Sequence, residues 1–155
     1  MAWLLGVAVF GAGSASGGGG VVLPAGSSGA AAASSPSELY VVGGSGSNAV
    51  LAGTSVSTLH RIARLRSSRG DGAAFVIPSL GGLYLVGGTD GGGKPVNRIV
   101  RVDLKTHAVS DAGPFTEPLS GAVALTYGND RYVVGGWDGK RYATAVLFFV
   151  APRGC

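Results

Sequence analysis

The chain has 155 residues, of which 29 are glycine, 46% are hydrophobic and only 13% are charged, and its net charge is +4. Glycine does not recur at every third position and the composition lacks the charged heptads of long paired helices, so collagen, coiled-coil and highly charged disordered classes are excluded. What remains is one β-rich domain, or part of one, with many tight turns, whose twelve Lys and Arg all lie beyond residue 60.

The amino-terminal 37 residues form a low-complexity segment rich in Gly, Ala and Ser. Residues 3–10 are apolar and are followed by small residues, in the order of a signal-peptide core and cleavage region, although no basic leader precedes them. A signal peptide over residues 1–16 implies a secreted or extracytoplasmic protein, whereas a buried strand or a misplaced start codon implies a cytoplasmic one. Four glycines at 17–20 end the apolar run well before the ~20 residues that a membrane span needs. We interpret most of residues 11–37 as a linker or a degenerate repeat.

One hexapeptide recurs three times along the rest of the chain, at residues 39–44, 83–88 and 131–136. Each copy contains a tyrosine, two aliphatic residues and a glycine doublet, and the spacing indicates a structural repeat of about 45 residues. The second and third copies continue one residue later with Asp-Gly, which is a hairpin signal after an apolar run. The first copy has Ser-Gly at this place, which also forms turns.

The middle repeat predicts four strands. Residues 73–77 are apolar, residues 83–86 precede the glycine doublet, residues 98–103 alternate basic and apolar side chains, and a fourth strand lies near residues 108–115. Tight turns are predicted at residues 79–82 and 104–107, and a longer glycine-rich loop reaches residue 95. Four antiparallel strands in about 45 residues match one blade of a β-propeller.

The repeat resembles the kelch repeat, a family of β-propellers whose second strand ends in a glycine doublet. The residues that carry the resemblance are the doublet glycines Gly43, Gly44, Gly87, Gly88, Gly135 and Gly136. Asp103, in the turn between the third and fourth predicted strands of the middle repeat, and Arg69, just before that repeat, also match. The resemblance covers residues 38–155, although the Tyr and Trp that usually follow the doublet at fixed distances are missing. It implies a partial blade at residues 38–69, a complete blade at 70–117 and a truncated blade at 118–155.

The predicted fold class is therefore all-β, a kelch-like propeller portion of about three four-stranded antiparallel blades. Propellers close with four to eight blades, so this chain alone cannot close a ring. Either the chain is a fragment of a longer protein, or a second chain completes the ring. We favour the fragment, because repeat arrays need intact terminal units for solubility. A further alternative is that residues 3–10 or 21–23 supply the fourth strand of the last blade.

Candidate catalytic and metal-binding chemistry is sparse in this sequence. Residues 88–94 fit the first seven positions of a P-loop, but Pro95 offers no hydroxyl and a strand follows instead of a helix. His60 and His107 are the only histidines and fall about one repeat apart, while Cys155 is the only cysteine. We therefore predict no catalytic residue, no metal site and no cofactor. The aspartates occupy positions typical of turns.

Two groups of residues are candidates for binding. Trp137 lies on a predicted loop beside Asp138, Arg141 and Tyr142, where a sugar or peptide can stack. Arg61, Arg64 and Arg66 form a basic stretch that suits an acidic partner or protects an edge strand from aggregation. No aromatic residue is interleaved with these arginines to stack bases, so nucleic acid is not expected. Tyr40, Tyr84 and Tyr132 recur at one place of each repeat and are predicted to pack between blades.

The sequence thus predicts a non-catalytic binding module that contacts a protein or carbohydrate partner through its loops. The alternatives are a fragment of a carbohydrate-active propeller enzyme, of the galactose-oxidase-like or sialic acid mutarotase-like kind, and a truncated repeat-gene product without function. Neither a membrane span nor a nucleic-acid partner is predicted.

Overall fold

A computed structural model describes residues 23, 25–144 and 146–150 and contains three antiparallel sheets that follow one another along the chain. The strands are, for the first sheet, β1 (Ala31–Ser34), β2 (Leu39–Val42), β3 (Ala49–Gly53) and β4 (His60–Arg64); for the second, β5 (Ala73–Ile77), β6 (Gly82–Val86), β7 (Arg98–Asp103) and β8 (Val109–Pro114); for the third, β9 (Val123–Tyr127), β10 (Asp130–Val134) and β11 (Val146–Val150). Two single 3-10 turns, Val56–Thr58 and Pro78–Leu80, are the helical elements of the described chain. The predicted fold class, an all-β propeller portion, is confirmed.

The first sheet begins earlier in the chain than the partial blade that the sequence placed at residues 38–69. Strand β1 lies inside the segment interpreted as a linker or a degenerate repeat, and it pairs with β2 from Ala31↔Val42 to Ser34↔Leu39. Alanine and serine favour strands weakly, but tertiary packing decides strand formation, and Ala31 is buried where β1 contacts β5. Residues 3–10 lie outside the described residues, so the signal peptide and the extra strand predicted from them stay predictions.

The three sheets stack face to face through their first strands. Strand β5 contacts β1 on one side and β9 on the other, and all five of its residues are buried. Ala74 and Val76 face the first sheet, while Ala73, Phe75 and Ile77 pack toward the third. A strand covered on both faces needs a continuous apolar run, which is the pattern that residues 73–77 have.

The recurring tyrosines occupy one position of the second strand in each sheet. Tyr40 is buried between the first two sheets, and its hydroxyl donates a 2.5 Å hydrogen bond to Glu38. Burial, assisted by that carboxylate, raises the pKa of Tyr40 to about 12. Tyr84 stacks on Phe75 with ring centroids 5.7 Å apart, toward the third sheet. Tyr132 lies on the corresponding face of the third sheet and is half-buried.

The glycine doublets join neighbouring sheets through the backbone. The Gly44 amide donates to the carbonyl of Arg69 at 2.8 Å, and the Gly88 amide donates to the carbonyl of Leu119 at 2.6 Å. Both acceptors precede the first strand of the next sheet. The first glycine of these doublets has positive φ, +73° at Gly43 and +63° at Gly87, and a Cβ there would lie closer than 3.0 Å to the same carbonyl oxygen. Glycine is therefore required for the sheets to approach this closely.

The turn between β7 and β8 is held by Asp103. Its carboxylate accepts hydrogen bonds from the amides of Thr106 at 2.9 Å and Lys105 at 3.0 Å, and the Arg101 guanidinium lies 3.1 Å away. These contacts, the Thr106 amide first, lower the pKa of Asp103 from 3.8 to about 2.

We expect an NMR titration of the Asp103 carboxylate to show a midpoint near 2 instead of 3.8. Because the folded-state pKa is depressed, the stabilisation is fully present above about pH 4 and is lost as the pH falls toward 2. Asp103→Asn is the control, since it removes this contribution to the acid dependence of unfolding. A midpoint at the ordinary value of an aspartate would contradict the turn geometry.

No helix among the described residues has the length and apolarity needed to cross a membrane.

Candidate functional site

The loops that carry most of the candidate binding residues lie at one end of the stacked sheets. Each loop that follows a glycine doublet is at this end, and so are the segments that lead from one sheet to the next, residues 65–72 and 115–122. We call this end the doublet end. Loops from different sheets are neighbours there, since a Cβ on Gly139 would lie 3.9 Å from the ring of Pro95.

An aromatic pair lies on the doublet-end loop of the third sheet. The rings of Trp137 and Tyr142 have centroids 4.9 Å apart and meet edge to face, at 61°. The backbone of Trp137 forms two hydrogen bonds with Ser120, at 2.7 and 2.9 Å, and a β-bridge pairs Trp137 with Tyr142. Tyr142 is 79% exposed although Trp137 is half-buried. The pair is thus anchored at one ring and open to solvent at the other.

Asp138 fixes the backbone between the two aromatic residues. Its carboxylate accepts hydrogen bonds from the amides of Lys140 at 2.6 Å and Arg141 at 2.8 Å. The two amides, that of Arg141 foremost, lower the pKa of Asp138 below its ordinary value. Asp90 fixes the corresponding loop of the second sheet in the same way, because its carboxylate accepts hydrogen bonds from the amides of Gly92 and Lys94. The loop is therefore a preformed turn, and Asp138 has a structural role in it.

Arg141 extends the polar rim of the aromatic pair. Its guanidinium lies 3.4 Å from Asp138 and 3.6 Å from Glu117, a residue of the segment that leads into the third sheet. The Arg141 side chain is 75% exposed, so both ion pairs are weak in water and leave it available to a partner. Glu117 was not predicted as a site residue, because only the return of residues 115–122 to the doublet end brings it near Arg141.

The structure does not bring the basic stretch to the aromatic pair. Arg61 and Arg64 lie on β4, the outermost strand of the first sheet, and Arg66 follows it. All three side chains are exposed. The second sheet lies between β4 and the third sheet, so the two predicted groups form separate surfaces.

A small cleft opens between the first two sheets beside Arg66. It has a volume of about 90 Å³ and is lined by Leu65, Arg66, Ser67, Arg69, Arg98, Val100, Val109, Ser110 and Asp111. Arg69 donates to the Gly87 carbonyl at 3.1 Å, and its Nε is buried without a partner in the described part of the chain. Burial lowers the pKa of Arg69. This cleft is large enough to hold ordered water, which needs about 10–15 Å³ of such space per molecule.

The two histidines lie at the other end of the sheets or near it. His60 begins β4 and is exposed, and His107 lies in the turn between β7 and β8 with φ +60°. Across residues 25–144 and 146–150, no group of three or more His, Cys, Asp or Glu side chains is arranged to hold a metal ion.

Comparisons with known proteins support the fold. No protein-family model matches the chain, and no curated protein matches it either. Among solved structures 127 chains match, and one of them, titled "Structure of YjhT", superposes with a TM-score of 0.64 at 15% sequence identity. The superposition covers 80% of this chain but only 43% of that one, so the chain spans less than half the length of this structural neighbour. At this identity the likeness concerns the fold alone.

Proposed function

We propose that the chain is a non-catalytic binding module that contacts a protein or carbohydrate partner through the loops of the doublet end. The observation that carries this proposal is the Trp137–Tyr142 pair, an exposed aromatic surface on a loop whose backbone is already fixed. A fixed loop loses little conformational entropy on binding, so its contacts convert more fully into affinity.

The chemistry around the pair suits a sugar or a polar peptide. An aromatic face stacks against the apolar face of a pyranose ring or against a side chain, while charged groups beside it hydrogen-bond to hydroxyls or to the backbone. Arg141 and Glu117 supply such groups, one of each sign, and both are more than half exposed. The proposal concerns a kelch-like propeller segment, and no contact among the described residues favours the enzyme alternative over binding.

The test is a binding screen of the purified chain against a glycan array and an array of peptides. We expect a ligand whose affinity falls at least 10-fold for Trp137→Ala and for Tyr142→Ala, a loss of roughly 1.4 kcal/mol or more. Leu80→Ala is the matched control, because it removes an exposed apolar side chain, 39% accessible, in a turn at the opposite end. A ligand that binds both variants as tightly as the wild type would remove the aromatic pair from the site. Absence of binding on both arrays would contradict the proposal as a whole.

A further inference from the structure

The contacts between neighbouring sheets follow one rule along the chain. In addition to the doublet hydrogen bonds, a second ladder runs through Gly29, Asp71 and Gly121, each two residues before the first strand of its sheet. These residues have φ of +67°, +52° and +66°. The Asp71 amide donates to the Gly29 carbonyl and the Gly121 amide donates to the Asp71 carbonyl, both at 2.7 Å. The ladder starts at the first sheet and ends at the carbonyl of Gly121.

The third sheet presents the surface that the second sheet uses to bind its neighbour. Cross-strand register aligns one of its faces with residues 73, 75, 77, 84 and 86 of the second sheet. We call it the third-sheet face; its apolar residues are Val123, Leu125, Tyr127, Tyr132 and Val134, and Asp130 lies on it opposite Tyr127. Four of these side chains are 42% to 76% exposed, whereas most of their counterparts are buried.

Among the described residues, no backbone carbonyl of another sheet lies beside the first glycine of the third doublet. A Cβ on Gly43 or Gly87 meets a backbone carbonyl of the next sheet, but a Cβ on Gly135 would have nothing within 4 Å among the described residues. Gly135 nevertheless has φ +71°, as the other two have +73° and +63°. The third sheet is thus preformed for a following sheet with a carbonyl at the position of Arg69 and Leu119.

The first sheet carries the complementary surface. Its face opposite the first core, which we call the first-sheet face, consists of Ala32, Ser34, Leu39 and Val41. These positions align with Ala74, Val76, Leu83 and Leu85, the residues that pack the second sheet onto the first. Asp130 lies on the third-sheet face, and Arg61 and Arg64 of β4 lie at the outer edge of the side that carries the first-sheet face, so the charges at the two faces have opposite signs.

The backbone groups needed at the junction are also present. Ser27 lies four residues before β1, as Arg69 lies four before β5 and Leu119 four before β9. Its carbonyl therefore occupies the position that corresponds to those of Arg69 and Leu119, and it accepts a hydrogen bond from Ala30 at 3.0 Å. The first sheet therefore has both features expected of a sheet that follows the third one: the apolar face and the carbonyl that meets the glycine doublet.

We propose that two copies of this chain form a head-to-tail dimer. The first-sheet face of each copy docks on the third-sheet face of the other, so the dimer has two equivalent junctions. Two copies arranged head to tail contain six sheets, which lies in the range of four to eight blades that close a propeller. The superposed part of this chain, 80% of its length, covers 43% of the solved chain, so two such parts fit within the length of that chain.

Light scattering of the purified 155-residue protein tests the proposal. We expect a discrete species of twice 15.3 kDa at micromolar concentration. Leu39→Asp places a carboxylate on the first-sheet face, and Leu125→Asp places one on the third-sheet face. Each substitution should raise the dissociation constant of the dimer roughly 100-fold or more. Leu80→Asp is the matched control, because Leu80 and Leu39 are equally exposed, 39% and 38%, and Leu80 lies on neither face.

Two further samples separate lost docking from lost folding. A mixture of the Leu39→Asp and Leu125→Asp proteins should form a dimer again, since one of its two junctions then has both native faces. Gly135→Ala should remain folded by circular dichroism and become monomeric, because the added Cβ meets the incoming carbonyl only in the assembly.

A monodisperse wild-type monomer would overturn the proposal, as would polydisperse aggregation, which is the result for a segment that awaits other blades. A dimer that Leu39→Asp leaves intact would also overturn it, because two third-sheet faces would then be paired with each other.

Discussion

Gly87→Ala is expected to destabilise the folded chain by about 3 kcal/mol. The left-handed backbone at φ +63° costs a side chain about 1–2 kcal/mol. The new Cβ also displaces the Leu119 carbonyl, which accepts the hydrogen bond from Gly88 across the two sheets, and a lost buried hydrogen bond costs about 1–3 kcal/mol. Urea unfolding followed by circular dichroism measures the difference.

Gly81→Ala is the control for this prediction. Gly81 also has positive φ, +56°, but a Cβ there would have nothing within 4 Å, so the variant reports the backbone cost alone, about 1 kcal/mol. Equal losses for the two variants would mean that the doublet is not a close contact between sheets.

The second large effect is expected for Phe75→Ala, at about 4 kcal/mol. Phe75 is 3% exposed, stacks on Tyr84 and packs against Phe149 of the third sheet, with centroids 5.1 Å apart. Its removal leaves a cavity between the second and third sheets and removes two aromatic contacts. The variant should unfold at much lower urea concentration than the wild type.

Tyr142→Ala is the matched control, because Tyr142 also belongs to an aromatic pair but is 79% exposed. Its removal should change the free energy of unfolding by less than about 1 kcal/mol. A Phe75→Ala protein as stable as the control would show that the second and third sheets do not share a core. The same control establishes that lost binding by Tyr142→Ala reflects the site and not the fold.

Much of the fold was predictable because the repeat places strong local signals at fixed intervals. The prediction of strands at residues 73–77 and 98–103 matches β5 and β7. The continuous apolar run of β5 also predicted that the strand is buried on both faces. Strand β1 was missed because Ala and Ser carry no such signal, and its place is decided by contact with β5. The positive φ of Asp71 was equally hidden, since it follows from the ladder between sheets.

The candidate site was predictable only in part. The loop from Trp137 to Tyr142 could be found from its aromatic residues beside an Asp-Gly turn. Sequence could not reveal that Tyr142 packs on Trp137 or that Glu117 faces Arg141, because these contacts depend on how the chain returns to the doublet end. It also could not show that Arg61 and Arg64 lie on an outer strand, away from that loop.

Native-state hydrogen exchange of the doublet amides tests the central claim, that consecutive sheets are joined as propeller blades. The stacked arrangement predicts that the Gly44 and Gly88 amides exchange as slowly as those of the buried strands, because each donates to the neighbouring sheet. Exchange of these two amides at the rate of an unstructured peptide, while the strand amides stay protected, would contradict the claim, since the sheets would then fold without being joined.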